Sequence, residues 1–354
     1  MKQFHPLKVA AIDRETRDSL RIRLDVPTEL RDEYAFLSGQ HLPVAIERHG
    51  KSVRRTYSIL TPPGQWPLEI GVRVQTGGAF SEYADGELKA GDTLDVMPPS
   101  GRFHLAPDGP ATGTALAFAA GSGITPILSI VTTILRDSPD RRVVLFYGNR
   151  RQASTMFIDD LYALKNRYPD RLTLQFVFSR EDQEFPIAAG RLDADKVREL
   201  YAAFTSGSTP SEAFVCGPDT MIDTVTATLV ELGMPADAVH AERFGVPRKP
   251  VGVVEQQPDT TSAEVTVIMD GHRKHFEMPP DADNLVDAAA AEGIELPYSC
   301  KGGVCATCRC HVQSGEVVMQ TNYGLEPWEV EAGFVLACQS RPVTTEVTLD
   351  YDKT

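Results

Sequence analysis

The segment Ser299-Cys300-Lys301-Gly302-Gly303-Val304-Cys305-Ala306-Thr307-Cys308, with Cys338 after a further 29 residues, sets the reading of this 354-residue chain. Gaps of four and then two residues between cysteines, followed by one distant fourth, are the plant-type ligand spacing of a [2Fe–2S] cluster. Two irons bridged by two sulfides need four thiolates converging on a small volume. Gly302 and Gly303 let the backbone wrap closely and turn N–H groups toward the sulfurs, which stabilises the more negative reduced state. A structural zinc site would instead show two Cys-x2-Cys knuckles, and a disulfide frame suits neither a reducing compartment nor this crowding. Cys310, a fifth thiol, reads as a small buried side chain because the other four complete the set.

Outward from this segment, charge is uneven. Residues 262–354 carry 6 Lys and Arg against 15 Asp and Glu, a net of −9 out of −14 for the whole chain. An acidic module of this kind suits a basic docking face on a partner. It repels phosphate backbones and anionic lipid, so neither nucleic acid nor a membrane is expected as a partner. Hydrophobic residues at 42% and charged residues at 24% exclude wholesale disorder, and the length suggests two or three domains. The start, MKQFHPLKVAAIDRETRD, meets charges before an apolar core can form, so no secretory signal is expected. The apolar stretch Ala115–Leu135 is broken by Gly121, Ser122, Gly123 and Pro126 and reads as strand, turn and helix, not a membrane span. A cytoplasmic protein is expected, where clustered cysteines imply metal or redox chemistry.

The organisation upstream falls into two styles. Residues 1–106 show period-two runs, such as Leu20–Val26, Leu42–Glu47, Arg54–Leu60, Leu68–Gln75 and Thr93–Met97, which read as an antiparallel barrel or sandwich with one short helix over Ser81–Glu87. Residues 107–245 alternate apolar strands with helical patterns: Ala115–Ala119 and Pro126–Arg136, Val143–Tyr147 and Met156–Tyr168, Leu172–Phe178 and Asp193–Leu200, Phe214–Val215 and Thr220–Leu232. That alternation argues for a parallel sheet covered on both faces. Residues 246–261, with three prolines and no periodicity, read as a linker to the last unit, 262–354, which has strands near Val265–Met269 and Val347–Tyr351.

Four strings upstream suit a diphosphate-bearing cofactor and a dinucleotide. In Arg55-Thr56-Tyr57-Ser58, the Arg fork can clamp a phosphate, the Tyr ring can lie on a heterocycle and the Ser can add a hydrogen bond. Gly77-Gly78-Ala79-Phe80-Ser81 opens the short helix with bare N–H groups, and Arg73 on the preceding strand adds positive charge. Gly121-Ser122-Gly123-Ile124-Thr125-Pro126 links the first parallel strand to its helix; it fits a dinucleotide turn or a plain turn without a ligand. Cys216-Gly217-Pro218 ends a later strand at the same sheet edge. His104, His240, His272 and His275 belong to no paired acid–base motif and read as packing or surface residues.

In this order the strings resemble a ferredoxin–NADP reductase-type module fused to a plant-type ferredoxin, over nearly the whole chain. That resemblance implies a β-barrel flavin domain, an α/β nucleotide domain and an α+β ferredoxin domain of β-grasp type. It implies FAD, a [2Fe–2S] cluster held by Cys300, Cys305, Cys308 and Cys338, and a pyridine nucleotide as electron source. Arg55 would bind the FAD pyrophosphate, with Gly77, Gly78 and Ser81 seating it. Tyr57 would lie against the isoalloxazine ring, with Ser58 near N5. Gly121, Gly123, Thr125, Pro126, Gly217 and Pro218 would hold the nucleotide, with Cys216 beside the nicotinamide. Ser58 and Cys216 are thus the expected catalytic pair. Glu242-Arg243-Phe244 looks like the family's closing strand, with Phe244 at the flavin edge. Ser179-Arg180-Glu181 resembles the segment that grips a 2′-phosphate, helped by Arg150 and Arg151, which favours NADPH while leaving NADH open. The finer strings YGNRR (147–151), MF (156–157), LKNRYPDR (164–171), SRE (179–181), GRLD (190–193), GEV (315–317) and NYGLEPWEVEAGFVLACQ (322–339) resemble reductase components of phenylacetyl-CoA epoxidases. Reductases of steroid hydroxylases and other oxygenases share this architecture. An oxygenase component is therefore the expected partner; a diaphorase without an oxygenase and a redox-sensing interaction protein are the rival classes.

Overall fold

The computed structural model describes residues 3–48, 50–205, 209–244 and 262–353. The segment read as a linker, 246–261, lies outside them. The chain divides into two compact units, Lys2–Phe244 and the region from Gly245 onward.

The first unit begins with β1 (His5–Thr16), β2 (Ser19–Asp25), β3 (His41–Arg48), β4 (Lys51–Ser58), β5 (Leu68–Arg73), helix α1 (Ala79–Gly86) and β6 (Thr93–Val96). The six strands are antiparallel in the order β4-β3-β6-β1-β2-β5, and an Ile59–Ile70 bridge joins the two outer strands into a barrel. Period-two alternation does the sorting, as with Leu20, Ile22 and Leu24 inside β2, and α1 adds Phe80 and Ala84 to the barrel core.

The same unit continues with β7 (Gly113–Ala120), α2 (Ile124–Asp137), β8 (Arg141–Asn149), α3 (Ile158–Arg167), β9 (Leu172–Phe178), α4 (Ala194–Phe204), β10 (Glu212–Gly217), α5 (Asp219–Glu231) and β11 (Val239–Arg243). The five strands are parallel in the order β11-β10-β7-β8-β9. Ala115, Ala117 and Ala119 of β7 face α2 and α3, whereas Leu116 and Phe118 face α4 and α5. Burial on both faces explains the near-continuous apolar runs of these strands. The chain goes from β7 through β8 to β9, then returns to place β10 on the other side of β7. The carboxyl ends of β7 and β10 therefore form the switch point where such sheets bind ligands. Leu60 and Phe103 pack into the core of this layer, and Ser129 Oγ donates to Thr61 O at 2.8 Å, so the barrel and the sheet share one interior. The helix expected from Met156 starts instead at Ile158, because Phe157 adopts φ 57° and cannot continue a right-handed helix.

The second unit holds β12 (Ala263–Met269), β13 (His272–Met278), α6 (Leu285–Ala291), β14 (Arg309–Ser314), β15 (Val317–Met319), α7 (Pro327–Glu331), β16 (Phe334–Leu336), β17 (Ser340–Pro342) and β18 (Glu346–Asp350). Its mixed sheet runs β13-β12-β18-β14-β16, with β12 parallel to β18 and the other pairs antiparallel; β15 and β17 form a small second sheet. Leu285, Val286, Ala288 and Ala289 of α6 pack on this sheet, giving the α+β layout expected for the module. Among the described residues no helix is long and apolar enough to cross a membrane.

Candidate functional site

The barrel contributes a registered pair. His41 at the start of β3 lies opposite Ser58 at the end of β4, and both are buried. The parallel sheet contributes another, Cys216 of β10 beside Glu242 of β11, also buried. The two pairs meet. Ser58 Oγ lies 3.4 Å from Glu242 Oε2, and His41 Nδ1 lies 3.5 Å from Glu242 Oε1. Burial raises the Glu242 carboxyl above its ordinary range, opposed by His41 and Ser58. Burial, followed by the nearby Glu242, raises the Cys216 thiol well above its ordinary value, so this sulfur is protonated and no nucleophile.

Around this centre the flavin motif residues take graded exposure. Arg55 and Tyr57 lie on the same face of β4, Arg55 exposed with Nη1 on Arg54 O at 2.7 Å, Tyr57 half-buried against Phe80 of α1 at a ring separation of 5.1 Å. In the loop before α1, Gly77 has φ 78°, and its N–H donates to a carboxylate oxygen, Glu82 Oε1, at 2.8 Å. Ser81 Oγ accepts from Gln75 N at 3.1 Å, and a Cβ on Gly78 would lie only 2.3 Å from that oxygen. The backbone donors, close-approach glycines and nearby arginine fit a diphosphate cofactor. Arg73 is placed differently from its neighbours in this set: Nη2 is 2.7 Å from Asp18, and Nη1 would be 3.3 Å from a Cβ on Gly121. Its charge therefore sits beside the nucleotide turn.

That turn is a single 3-10 turn, Gly121–Gly123, between β7 and α2. Gly121 has φ 55° and its carbonyl accepts from Tyr147 Oη at 2.8 Å; Thr125 Oγ1 donates to Ser122 O at 3.0 Å, and Pro126 is buried in the first turn of α2. Gly123 touches the tip of β10 so closely that a Cβ would lie 2.2 Å from Cys216 O. Gly217 and Pro218 follow, Pro218 preceding α5. At the β8 and β9 ends, Ser179 N donates to Asn149 O and Arg180 N to Arg150 O, at 3.0 and 2.9 Å. This brings Arg150, Arg151, Ser179 and Arg180 to one edge with the three guanidinium groups exposed. Glu181 is engaged instead by Gln152 N–H at 2.6 Å. Phe244 is 40% exposed at the end of the described part of this unit.

In the second unit the four cysteines fall into two pairs. Cys300 N donates to Cys305 Sγ at 3.5 Å and Cys305 N to Cys300 Sγ at 3.4 Å, while Cys308 and Cys338 shift each other's thiols in opposite directions. Among the described residues, no group of three or more His, Cys, Asp or Glu is arranged to hold one metal ion. Two pairs, each suited to one iron, fit a binuclear cluster and not a mononuclear zinc site. Backbone donors point at the sulfurs, Gly302 N and Cys305 N at 3.3 and 3.4 Å from Cys300 Sγ. The Cys305 thiol, then the N–H groups of Cys305, Gly302 and Val304, draw Cys300 down to about 5. Cys338 is likewise lowered, by Cys308 first, then Gly303 N–H and Gln339. Lys301 and Ala306 hold φ near 50°, and Gly303 has φ 74° with Thr321 O 2.9 Å from where its Cβ would be. Cys310 is fully buried, pushed up to about 12 by that burial.

His41 belongs to these sites but lies in no quoted string, and Tyr147 and Gln339 stand in strings that carry the resemblance without a site role of their own. Their placement depends on strand register and loop contacts, which spacing does not report. His104, His240, His272 and His275 stay out of both sites. His240 stacks on Phe214 at 5.1 Å, and His275 Nδ1 contacts Thr266 Oγ1 at 2.9 Å.

Comparison with known proteins follows the same division. Residues 6–105 match the oxidoreductase FAD-binding domain family, 118–227 the oxidoreductase NAD-binding domain family and 267–343 the 2Fe-2S iron-sulfur cluster binding domain family. The chain is 43% identical over 355 residues to one of the subunits of 1,2-phenylacetyl-CoA epoxidase from Escherichia coli (strain K12), covering 99% of both proteins. It is 38% identical to the ferredoxin reductase component of 3-ketosteroid-9-alpha-monooxygenase from Rhodococcus rhodochrous, covering 98% of this chain and 96% of that protein. In fold it is similar to phthalate dioxygenase reductase, with a TM-score of 0.62, 24% identity and 98% of each chain covered.

Proposed function

The chain belongs to the ferredoxin–NADP reductase-type flavoproteins that carry a C-terminal [2Fe–2S] domain, and from that membership we propose that it feeds the di-iron oxygenase of a phenylacetyl-CoA epoxidase. It is an oxidoreductase that moves electrons from a pyridine nucleotide through FAD and the cluster to an oxygenase component. FAD, when bound, accepts two electrons as hydride and gives them up singly, which is the chemistry the protein itself lacks. The single observation carrying the electron exit is the two-by-two pairing of Cys300 with Cys305 and Cys308 with Cys338.

The chain's own residues do the holding. Arg55, Tyr57, Gly77, Gly78 and Ser81 take the flavin and its diphosphate, while Ser58 and Glu242 close over its reactive edge. Gly121, Gly123, Thr125, Pro126 and the Cys216-Gly217-Pro218 tip take the nucleotide, with Cys216 excluding water beside the nicotinamide. Cys300, Cys305, Cys308 and Cys338 ligate the irons. In this reading the domains are 1–106, 107–245 and 262–354, joined by 246–261, and the protein works in the cytoplasm.

NADPH is the preferred donor in this reading. Arg150, Arg151 and Arg180 stand exposed at one edge beside Ser179, and the carboxylate that would otherwise read a ribose hydroxyl, Glu181, is tied to Gln152 N–H. Losing a charge-assisted contact worth about 1.5–3 kcal/mol predicts that Arg180→Ala raises KM for NADPH by about tenfold to a hundredfold. KM for NADH should move less than threefold; an equal rise for both refutes the assignment.

The 38% identity to a steroid monooxygenase reductase supports the second reading, service to a different oxygenase. The test pairs reconstituted holoprotein with each oxygenase under NADPH. Product formation with the phenylacetyl-CoA epoxidase and not with the ketosteroid enzyme supports the first reading, and the reverse replaces it. A sample whose flavin and cluster bands never bleach with NADPH refutes both.

A further inference from the structure

Phe157 is a bulky side chain in a backbone conformation that only close surroundings can hold. It is 1% exposed and adopts φ 57°, in the left-handed region that aromatic residues rarely enter. Much of what holds it comes from the barrel. The Arg21 guanidinium of β2 lies 5.0 Å from the centre of the Phe157 ring and also pairs with Asp160 of α3. Glu15 at 2.6 Å and Glu69 at 3.1 Å fix that guanidinium in turn. Directly across the β2–β5 register from Arg21 stands Gly71. A Cβ there would lie 2.8 Å from Phe157 Cζ and 2.7 Å from Thr125 Cγ2, so the ring tip and the Thr125 methyl converge on bare β5 backbone.

Thr125 closes the nucleotide turn, its Oγ1 donating to Ser122 O at 3.0 Å. The start of the turn is tied to the same corner. Tyr147 Oη donates to Gly121 O at 2.8 Å and lies 3.4 Å from Met156 O. The Met156-Phe157 corner therefore reaches both ends of the turn and meets the barrel at β2 and β5. Hydride transfer depends steeply on distance, and a misplacement of about 1 Å costs roughly a hundredfold. With the flavin on the barrel and the nicotinamide on the turn, the spacing of the two layers sets the reaction distance. Resting on that cofactor placement, we propose that Phe157 is a positioning residue for hydride transfer, a spacer that sets the height of the Gly121–Thr125 turn over β5. It acts through Thr125, and its left-handed backbone aims the ring at Gly71.

The test uses full-length holoprotein carrying FAD and cluster, as wild type, Phe157→Leu, Phe157→Gly, Gly71→Ala and the double variant Gly71→Ala/Phe157→Leu. Stopped flow at saturating NADPH gives the rate of flavin bleaching, and titration with NADP+ gives its Kd. The long-wavelength charge-transfer absorbance of NADP+ on reduced flavin reports how closely the two rings stack. Each single variant should bleach slower by about tenfold or more, with Kd within about threefold and that absorbance at least halved. Leu lacks the ring atoms that a Cβ on Gly71 would meet, so the double variant should return to within about threefold of wild type. Gly suits the left-handed backbone, so a residue needed only to turn the chain could be replaced by Gly without loss. Wild-type bleaching and absorbance in Phe157→Gly would thus assign Phe157 to the chain turn and overturn the proposal. A double variant as slow as the product of the two single losses overturns it too. If the Phe157 variants shed their flavin, unchanged bleaching in Gly71→Ala overturns it without them. A wild type that neither NADPH nor NADH bleaches overturns the cofactor placement itself, a result read before any variant is made.

Discussion

A carboxyl held between His41 and Ser58 and cut off from water costs the folded protein energy whenever it is ionised. Glu242 is raised above its ordinary value of 4.5 by burial. Between 4.5 and its native value, the folded chain keeps a proton that the unfolded chain has lost. Stability therefore falls as pH rises through that window, by about 1.4 kcal/mol for each pH unit the window spans, and the penalty is complete above it. Glu242→Gln keeps the shape and removes the charge. In cofactor-free protein the Tm advantage of the variant should be absent near pH 4.5, grow as pH rises and then level off. A difference between the two melting curves that does not vary with pH would show that Glu242 is not raised. At this scale the sequence was uneven as a guide. Cysteine spacing exposes the cluster because four thiols must converge, and Arg55, Tyr57 and Ser58 stand as one string. His41 stands 17 positions before Ser58 and joins it only through the β3–β4 register, which no spacing rule encodes.

At the level of elements, the meeting of a turn and a strand tip governs nucleotide binding. The 3-10 turn Gly121–Gly123 lies against the end of β10, and a Cβ on Gly123 would lie 2.2 Å from Cys216 O, 2.5 Å from Cys216 C and 2.8 Å from Gly217 N. All three obstacles are backbone, so no side chain can swing aside. Gly123→Ala must part β10 from the turn, at about 1–3 kcal/mol of overpacking strain. Tm of the first unit should drop by several degrees, and KM for NADPH should rise at least tenfold. Flavin and cluster content should stay near wild type, because the barrel loop around Gly77 and the cysteine loop lie outside this contact. An unchanged KM would remove Gly123 from the nucleotide site. Strand–helix alternation made the parallel sheet legible, since burial on both faces writes apolar runs into β7, β8 and β10. Short elements were not. Helix α7 spans only Pro327–Glu331, too brief for a helical period, and the start of α3 was displaced by the left-handed Phe157.

Across the whole molecule, charge separates the two electron-transfer events that the cluster takes part in. Residues 262–354 carry −9 and residues 1–245 carry −5, from 27 Lys and Arg against 32 Asp and Glu. Like charge on both parts means that long-range Coulomb forces do not draw the cluster module toward the flavin part. The same −9 attracts an oxygenase component with a basic docking face. Salt screens both effects, with a Debye length falling from about 10 Å at 0.1 M to about 3 Å at 1 M. Raising ionic strength from 0.05 to 0.5 M should therefore lower kcat/KM for the oxygenase component at least tenfold, chiefly through slower association. Transfer from flavin to cluster, followed by stopped flow after NADPH addition, should hold steady or quicken over the same range. A parallel fall in both steps would mean that specific opposite-charge contacts, not net charge, bring the two halves of the chain together. A flat response of the oxygenase step would mean that the acidic module is not what its partner recognises.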